Sequence, residues 1–207
     1  MGQYYRAYVE SENQKGFVES WDFDNGMKLM EHSWVGNEYC NAVMYLIEDN
    51  PMRVGWVGDY SKDCAKYGGG QNCPADIYDF CWGGSEDEDL ARKLIPEPPD
   101  NFLCDREHEY KNKSGTGYLV NHDTGQYVDL DKYMLTNEPA DKEWGGIPHP
   151  LPLLTCVGNG MGGGDYHSGR AFDMVGAWFG DVLEYTKDKP VDAFEDVTDA
   201  VLFKEGR

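Results

Sequence analysis

The sequence predicts an α+β fold dominated by an antiparallel β-sheet, with one or two short helices and an irregular insertion in mid-chain. Three observations carry that prediction. Gln3 to Glu10 alternates like a half-buried strand, placing Tyr4, Arg6, Tyr8 and Glu10 on one face. Two tight-turn signals, Asn25-Gly26 and Asp123-Thr124-Gly125, stand between runs of strand-forming residues. Helical spacing of apolar residues is clear only after Asn37.

In order, a polar turn at Asn13 to Gly16 leads to a second strand, Phe17 to Phe23, and Asn25-Gly26 can return the chain as a third, Met27 to His32. Asn37 can cap a helix to about Glu48, with Cys40, Val43, Met44 and Ile47 along one stripe. Asn50-Pro51 ends it, and Arg53 to Tyr60 reads as a strand. From Ser61 the character changes to glycines, cysteines, an acidic cluster and PEPP; residues 61–109 read as an insertion or a small subdomain of one domain spanning 1–207, with Ser85 capping a short helix. Gly117 to His122 and Gln126 to Leu130 form a hairpin, and Trp144 to Pro152 reads as extended. Phe172 to Tyr185 reads as a long strand, or one bulged near Gly180. The tail carries no assignable pattern. WVGN, WVGDY and WFGD recur as aromatic-anchored bends.

A chain of 207 residues can bury roughly 70% of its unfolded surface, so its core needs neither disulfide nor metal. The balance of 18 basic against 38 acidic residues, net -20, disfavours binding to nucleic-acid backbones and anionic membranes. The acids crowd Asp76 to Asp100 and Asp188 to Asp199, which reads as a solvated face or as a surface that competes for a basic pocket. No apolar run reaches the ~20 residues of a membrane span, and the opening lacks the apolar region of a secretory signal. Arg6 stands where a myristoylation signal needs Ser or Thr. Six cysteines without an export signal read as free thiols, and the expected location is the cytoplasm of a bacterial host.

The densest signal is HPLPLLTCVGNGMGGGDYHSG, His149 to Gly169, where an apolar run empties into a loop with five glycines before Asp165. Such a loop wraps something or turns sharply several times. Gly158, Gly160 and Gly163 satisfy G-x-G-x-x-G, but the residues that follow make a poor helix start, which disfavours a dinucleotide site. A Walker lysine and a G-x-S-x-G elbow are absent from the sequence. As a ligand-binding set the loop offers Asn159, Gly160, Gly162, Gly163, Gly164 and Tyr166, with Trp178 beyond, as a backbone nest for an anion or a sugar hydroxyl. The competing reading is a glycine-rich crossover packed under aromatics.

For catalysis the candidates are His32, His122, Asp165, His167 and Asp181, each in a turn-like setting. Converged, they would form an acid/base pair or a metal-assisted hydrolytic site, though no H-x-x-x-H or H-x-H pair demands it. Cys64, Cys73, Cys81, Cys104 and His108 lack the paired spacing of structural zinc, and Asp22-x-Asp24 lacks the glutamate of a calcium loop; no metal is expected.

At KLMEHSWVGN, WVGDY, LVNHDTGQYVDL, HPLPLLTCVGNGMGGGDY and GAWFGD the chain resembles a family of uncharacterised phage, prophage and Firmicutes gut-bacterial proteins. The likeness spans most of the chain and weakens through about Asp63 to Glu109. That family has no assigned activity; the resemblance implies a mobile-element setting, in which small accessory proteins act on host machinery by binding. Two functions are therefore expected. One is an acidic accessory protein that occupies a host protein or sequesters a small ligand. The other is a hydrolase or nucleotide-processing enzyme using the His/Asp set beside the glycine loop.

Overall fold

The computed structural model describes residues 2–62, 72–83, 116–136, 146–159, 166 and 172–201. Its strands are β1 (Tyr5–Glu10), β2 (Lys15–Val18), β3 (Met52–Gly58), β4 (Tyr118–Asn121), β5 (Gln126–Asp129), β6 (Cys156–Val157), β7 (Val182–Thr186) and β8 (Glu195–Asp196). They form one mostly antiparallel sheet in the order β2-β1-β3-β7-β4-β5-β8. The helices are α1 (Leu29–His32), α2 (Glu38–Leu46), α3 (Ala75–Trp82), α4 (Leu130–Thr136), α5 (Pro150–Thr155) and α6 (Thr198–Val201). The fold is α+β.

β3 is the hub. One edge pairs with β1, from Arg53↔Glu10 to Gly58↔Tyr5. The other edge is shared: Met52 and Arg53 face β7, while Trp56 and Val57 run parallel to Cys156 and Val157 of β6. Alternation along the strands then separates two faces. The first presents Tyr5, Ala7, Val9, Met52, Val54, Trp56, Leu119, Leu183 and Tyr185 to the main core, which α2 and α5 complete with Tyr39, Cys40, Val43, Met44, Leu151, Leu153 and Leu154. The second presents Tyr8 and Val57 to α3 through Cys81.

α2 forms where the stripe and cap predict it: Asn37 Oδ1 accepts from the N–H groups of Tyr39 and Cys40 at 2.9 and 3.4 Å. α3 is fastened to the second face by Arg6. Its guanidinium carbon lies 4.6 Å from the ring centroids of both Phe17 and Trp82, it donates to the Cys81 carbonyl, and it pairs with Glu19 at 2.5 Å. Trp82 Nε1 and the Tyr78 hydroxyl donate to the Val57 and Asp59 carbonyls. The Ser85 helix lies outside the described residues.

Four sequence expectations are corrected. The second strand stops at Val18; Ser20–Phe23 is a 3-10 turn closed by Asp24 at φ 54°, and Asn25 bonds back to Ser20 and Phe23 instead of turning a hairpin. Met27 to His32 therefore enters helix α1, with Glu31 Oε2 accepting the Lys28 N–H at 3.0 Å. Pro150 to Thr155 is helical rather than extended, because His149 caps it and prolines in a first helical turn forfeit no hydrogen bond. Phe172 to Tyr185 is a strand only from Val182; Phe172–Met174 is a 3-10 turn, and Gly176 and Gly180 adopt left-handed backbone at φ 71° and 78°.

Candidate functional site

Each histidine in the described residues is accounted for by what its ring touches. His32 is fully buried on the first face. Trp56 Nε1, which can only donate, lies 3.1 Å from His32 Nε2, so Nε2 accepts and the proton sits on Nδ1, which donates to the Gly26 carbonyl at 2.9 Å. Tyr39 stacks edge-on at 4.8 Å. Burial pushes the His32 pKa down to about 4, against smaller opposing effects of the Gly26 bond and Glu31. His149, likewise buried, uses Nδ1 to accept the Leu151 N–H at 3.1 Å as the cap of α5, and burial pushes its pKa down to about 3. Both are neutral structural imidazoles.

His122 differs. It stands at the end of β4 on the second face, with Nε2 2.7 Å from Glu184 Oε2 and Phe194 edge-on at 6.0 Å. Glu184 lies between the core residues Leu183 and Tyr185 on β7, so it points away from the face that holds His32. His32 and His122 are therefore on opposite sides of the sheet. Asp181 is near His122 in the fold but is held by a different partner: it accepts from Asn121 Nδ2 at 2.8 Å. Asn121 is fully buried, and its Oδ1 accepts from the N–H groups of Asp123 and Thr124, fixing the hairpin turn. Asp123 closes the corner by accepting from the Val182 N–H at 3.0 Å, with Arg53 at 3.5 Å.

At the root of the glycine loop, Gln3 holds the first loop residues through its side chain. Its side chain is buried against Gly58 and Gly158, the glycines that end the parallel strands β3 and β6. Its Oε1 accepts from the Tyr5 hydroxyl at 3.2 Å and from the Asn159 N–H at 3.0 Å. A Cβ at Gly158 would run into both Tyr5 and Gln3, so this glycine serves close approach. Trp178 is 1% exposed and donates to Gln126 Oε1 at 3.2 Å, so it is a core side chain. Tyr166 packs on the same core with its hydroxyl near Ser33, and burial holds its pKa well above the ordinary phenol range. Asp165, His167, Gly160, Gly162, Gly163 and Gly164 lie outside the described residues.

Among the described residues no group of three or more His, Cys, Asp or Glu side chains is placed to hold a metal, and Cys40, Cys73, Cys81 and Cys156 are buried. Much of the polar chemistry in the described core goes into hydrogen bonds that set the fold, while both side-chain polar atoms of Asn41 and Nε2 of His149 are buried without a hydrogen-bond partner. The surface is another matter. Among the described residues four aromatic side chains stand well out from it: Trp21 at 65% exposure, Tyr4 at 46%, Tyr60 at 44% and Tyr45 at 43%. Sequence reasoning missed Trp21, Gln3, Glu184 and His149. The Trp21 signal is an aromatic residue beside Asp22 in Ser20-Trp21-Asp22-Phe23-Asp24, where strand alternation fails.

These features define an α+β protein with a mixed, mostly antiparallel sheet. No family model, curated protein or solved structure matches the chain. No helix in the described residues is long and apolar enough to cross a membrane.

Proposed function

We propose that this chain acts by binding, as an acidic accessory protein that occupies a host protein in the phage or mobile-element setting its motifs resemble. The observation that supports this reading is the placement of aromatic side chains on the surface of a chain with net charge -20. Trp and Tyr are the residues on which interface energy concentrates. The same charge repels anionic partners and speeds encounter with basic ones. Native mass spectrometry of gently purified protein, with capture from host lysate, tests it. A partner or small ligand retained natively and lost on denaturation is expected; a bare mass together with no partner enriched over a charge-matched control overturns it.

The enzymatic alternative draws on one arrangement, the accessible His122–Glu184 pair at 2.7 Å, in which the carboxylate orients the imidazole as a general base requires. Under this reading, His122→Ala and Glu184→Gln both abolish any hydrolytic turnover detected with nucleotide or ester substrates. Turnover that survives both substitutions eliminates the pair as its base.

A further inference from the structure

We infer that the Trp21 turn is the docking point for an arginine-bearing segment of a protein partner. The inference rests on the binding reading above and names the surface and the partner chemistry.

The turn is rigid. Ser20 and Phe23 are buried and anchor it, Phe23 against the ring of Tyr39, while Trp21, Asp22 and Asp24 face solvent. The Asp24 N–H donates to the Trp21 carbonyl at 3.2 Å and the Asn25 N–H to the Ser20 carbonyl at 3.1 Å. Asn25 Nδ2 closes onto the Phe23 carbonyl at 2.6 Å, and Asn37 Nδ2 holds Asn25 Oδ1 at 2.8 Å, tying the turn to the start of α2. A large ring held out by so fixed a backbone loses little conformational entropy when something covers it.

The molecule itself shows what such a ring and its carboxylates accept. Two residues away, Glu19 pairs with Arg6 while the same guanidinium lies 4.6 Å from two aromatic centroids, Phe17 and Trp82. An incoming guanidinium would meet the same kinds of group at Trp21: an indole face, with Asp22 and Asp24 exposed in the same turn. Arginine fits better than lysine, because its planar, weakly hydrated group stacks on an aromatic face while its N–H fork reaches a carboxylate. A net charge of -20 draws cationic segments toward this surface, and the fixed ring then selects among them.

The test uses the full chain and a defined probe: a peptide with two arginines in an uncharged Gly/Ser background, and its lysine counterpart, at physiological salt. Binding is followed on the tryptophan indole N–H resonances, with the Trp21 signal identified by its loss in Trp21→Phe. The expected result is a shift centred on Trp21, several-fold tighter binding of the arginine peptide, and at least tenfold weakening in Trp21→Ala. Asp22→Asn/Asp24→Asn should weaken binding several-fold, and Asp188→Asn/Asp192→Asn, equal in charge and remote in sequence, should leave it unchanged. All these positions are exposed, and matching thermal midpoints confirm that each variant folds. Equal binding by Trp21→Ala, equal loss in both acid pairs, or equal affinity for lysine overturns the inference. A preference for a saccharide over the peptide would do the same. The broader binding reading falls only on the mass-spectrometric and capture result, so the two failures are separable.

Discussion

The buried histidines make a specific claim about acid stability. His32 and His149 are neutral in the fold, with pKa values pushed from 6.5 down to about 4 and about 3 by burial. In the unfolded chain each returns to 6.5. As pH falls below 6.5 the unfolded chain takes up protons that the native chain refuses, so this stability is fully present above 6.5 and is lost toward the folded pKa values. At pH 5 an unfolded histidine is almost fully protonated and either native one is mostly neutral, which corresponds to about 2 kcal/mol per residue relative to pH 7, or about 4 kcal/mol for the pair. That is a large share of the roughly 5–15 kcal/mol that holds a typical domain folded. Protonation also relieves the self-repulsion of a chain at net -20, which works in the opposite direction, so the measured quantity must be a difference between variants. Urea unfolding of the wild type, His149→Asn and His32→Gln at intervals from pH 7.5 to 5 gives it. Each substitution lowers absolute stability, and each should remove about 1.2 kcal/mol per pH unit from the slope near pH 5. Slopes identical to wild type for both variants would refute the assignment of neutral, buried imidazoles.

Two further outcomes follow from single contacts. The Tyr39 hydroxyl accepts from the Ala7 N–H at 2.8 Å and donates to the Val18 carbonyl at 2.9 Å, completing the β1–β2 ladder at its last pair, Ala7↔Val18. Tyr39→Phe leaves a buried amide without its acceptor and should cost about 1–3 kcal/mol in chemical denaturation, with a loss below about 0.5 kcal/mol contradicting the contact. Gly176 and Gly125 both hold left-handed backbone, at φ 71° and 68°, but a Cβ at Gly176 would strike the Cys156 carbonyl whereas one at Gly125 meets nothing within 4 Å. Gly125→Ala should therefore cost about 1 kcal/mol of backbone strain alone, and Gly176→Ala clearly more; equal thermal midpoints for the two would show that the 174–178 turn yields freely.

What was legible in the sequence is what the chain decides within a few residues. The Asn37 cap and the stripe from Cys40 to Ile47 specify α2, because side-chain oxygen, helix start and apolar face all lie within one helical length. The hairpin of β4 and β5 is equally local, and its turn is closed by Asn121 within four residues. The parallel pairing of β6 with β3 was not legible, since its partners are about a hundred residues apart and nothing near Cys156 announces Trp56. Nor was the fate of the histidines. His32 lies in a polar stretch, Glu31-His32-Ser33, yet it is buried because Trp56 supplies the donor that its Nε2 needs. The same limit applies to Trp178: the sequence holds six tryptophans, but only the assembled core shows that this one is covered.

The recurring Trp-Gly tetrapeptides show where local reading stops. Trp34-Val35-Gly36-Asn37 turns at Gly36 with φ 87° and hands Asn37 to α2 as its cap. Trp56-Val57-Gly58-Asp59 is extended through Gly58, paired on both edges, with Asp59 Oδ1 accepting from the Tyr4 N–H. Trp178-Phe179-Gly180-Asp181 bends at Gly180 with φ 78° and opens β7, Asp181 taken by Asn121. Three near-identical strings thus end a loop, end a strand and begin one. Each has the same capacity, an apolar ring to bury, a glycine free in φ and a short polar side chain to bond backbone or amide, and tertiary neighbours select which use is made of it. The same selection acts on Trp21, whose neighbours in space bury Ser20 and Phe23 on either side and leave its ring outside. A pattern found in sequence therefore identifies what a segment is able to do, and the partners it meets in the fold decide between a covered ring and an exposed one.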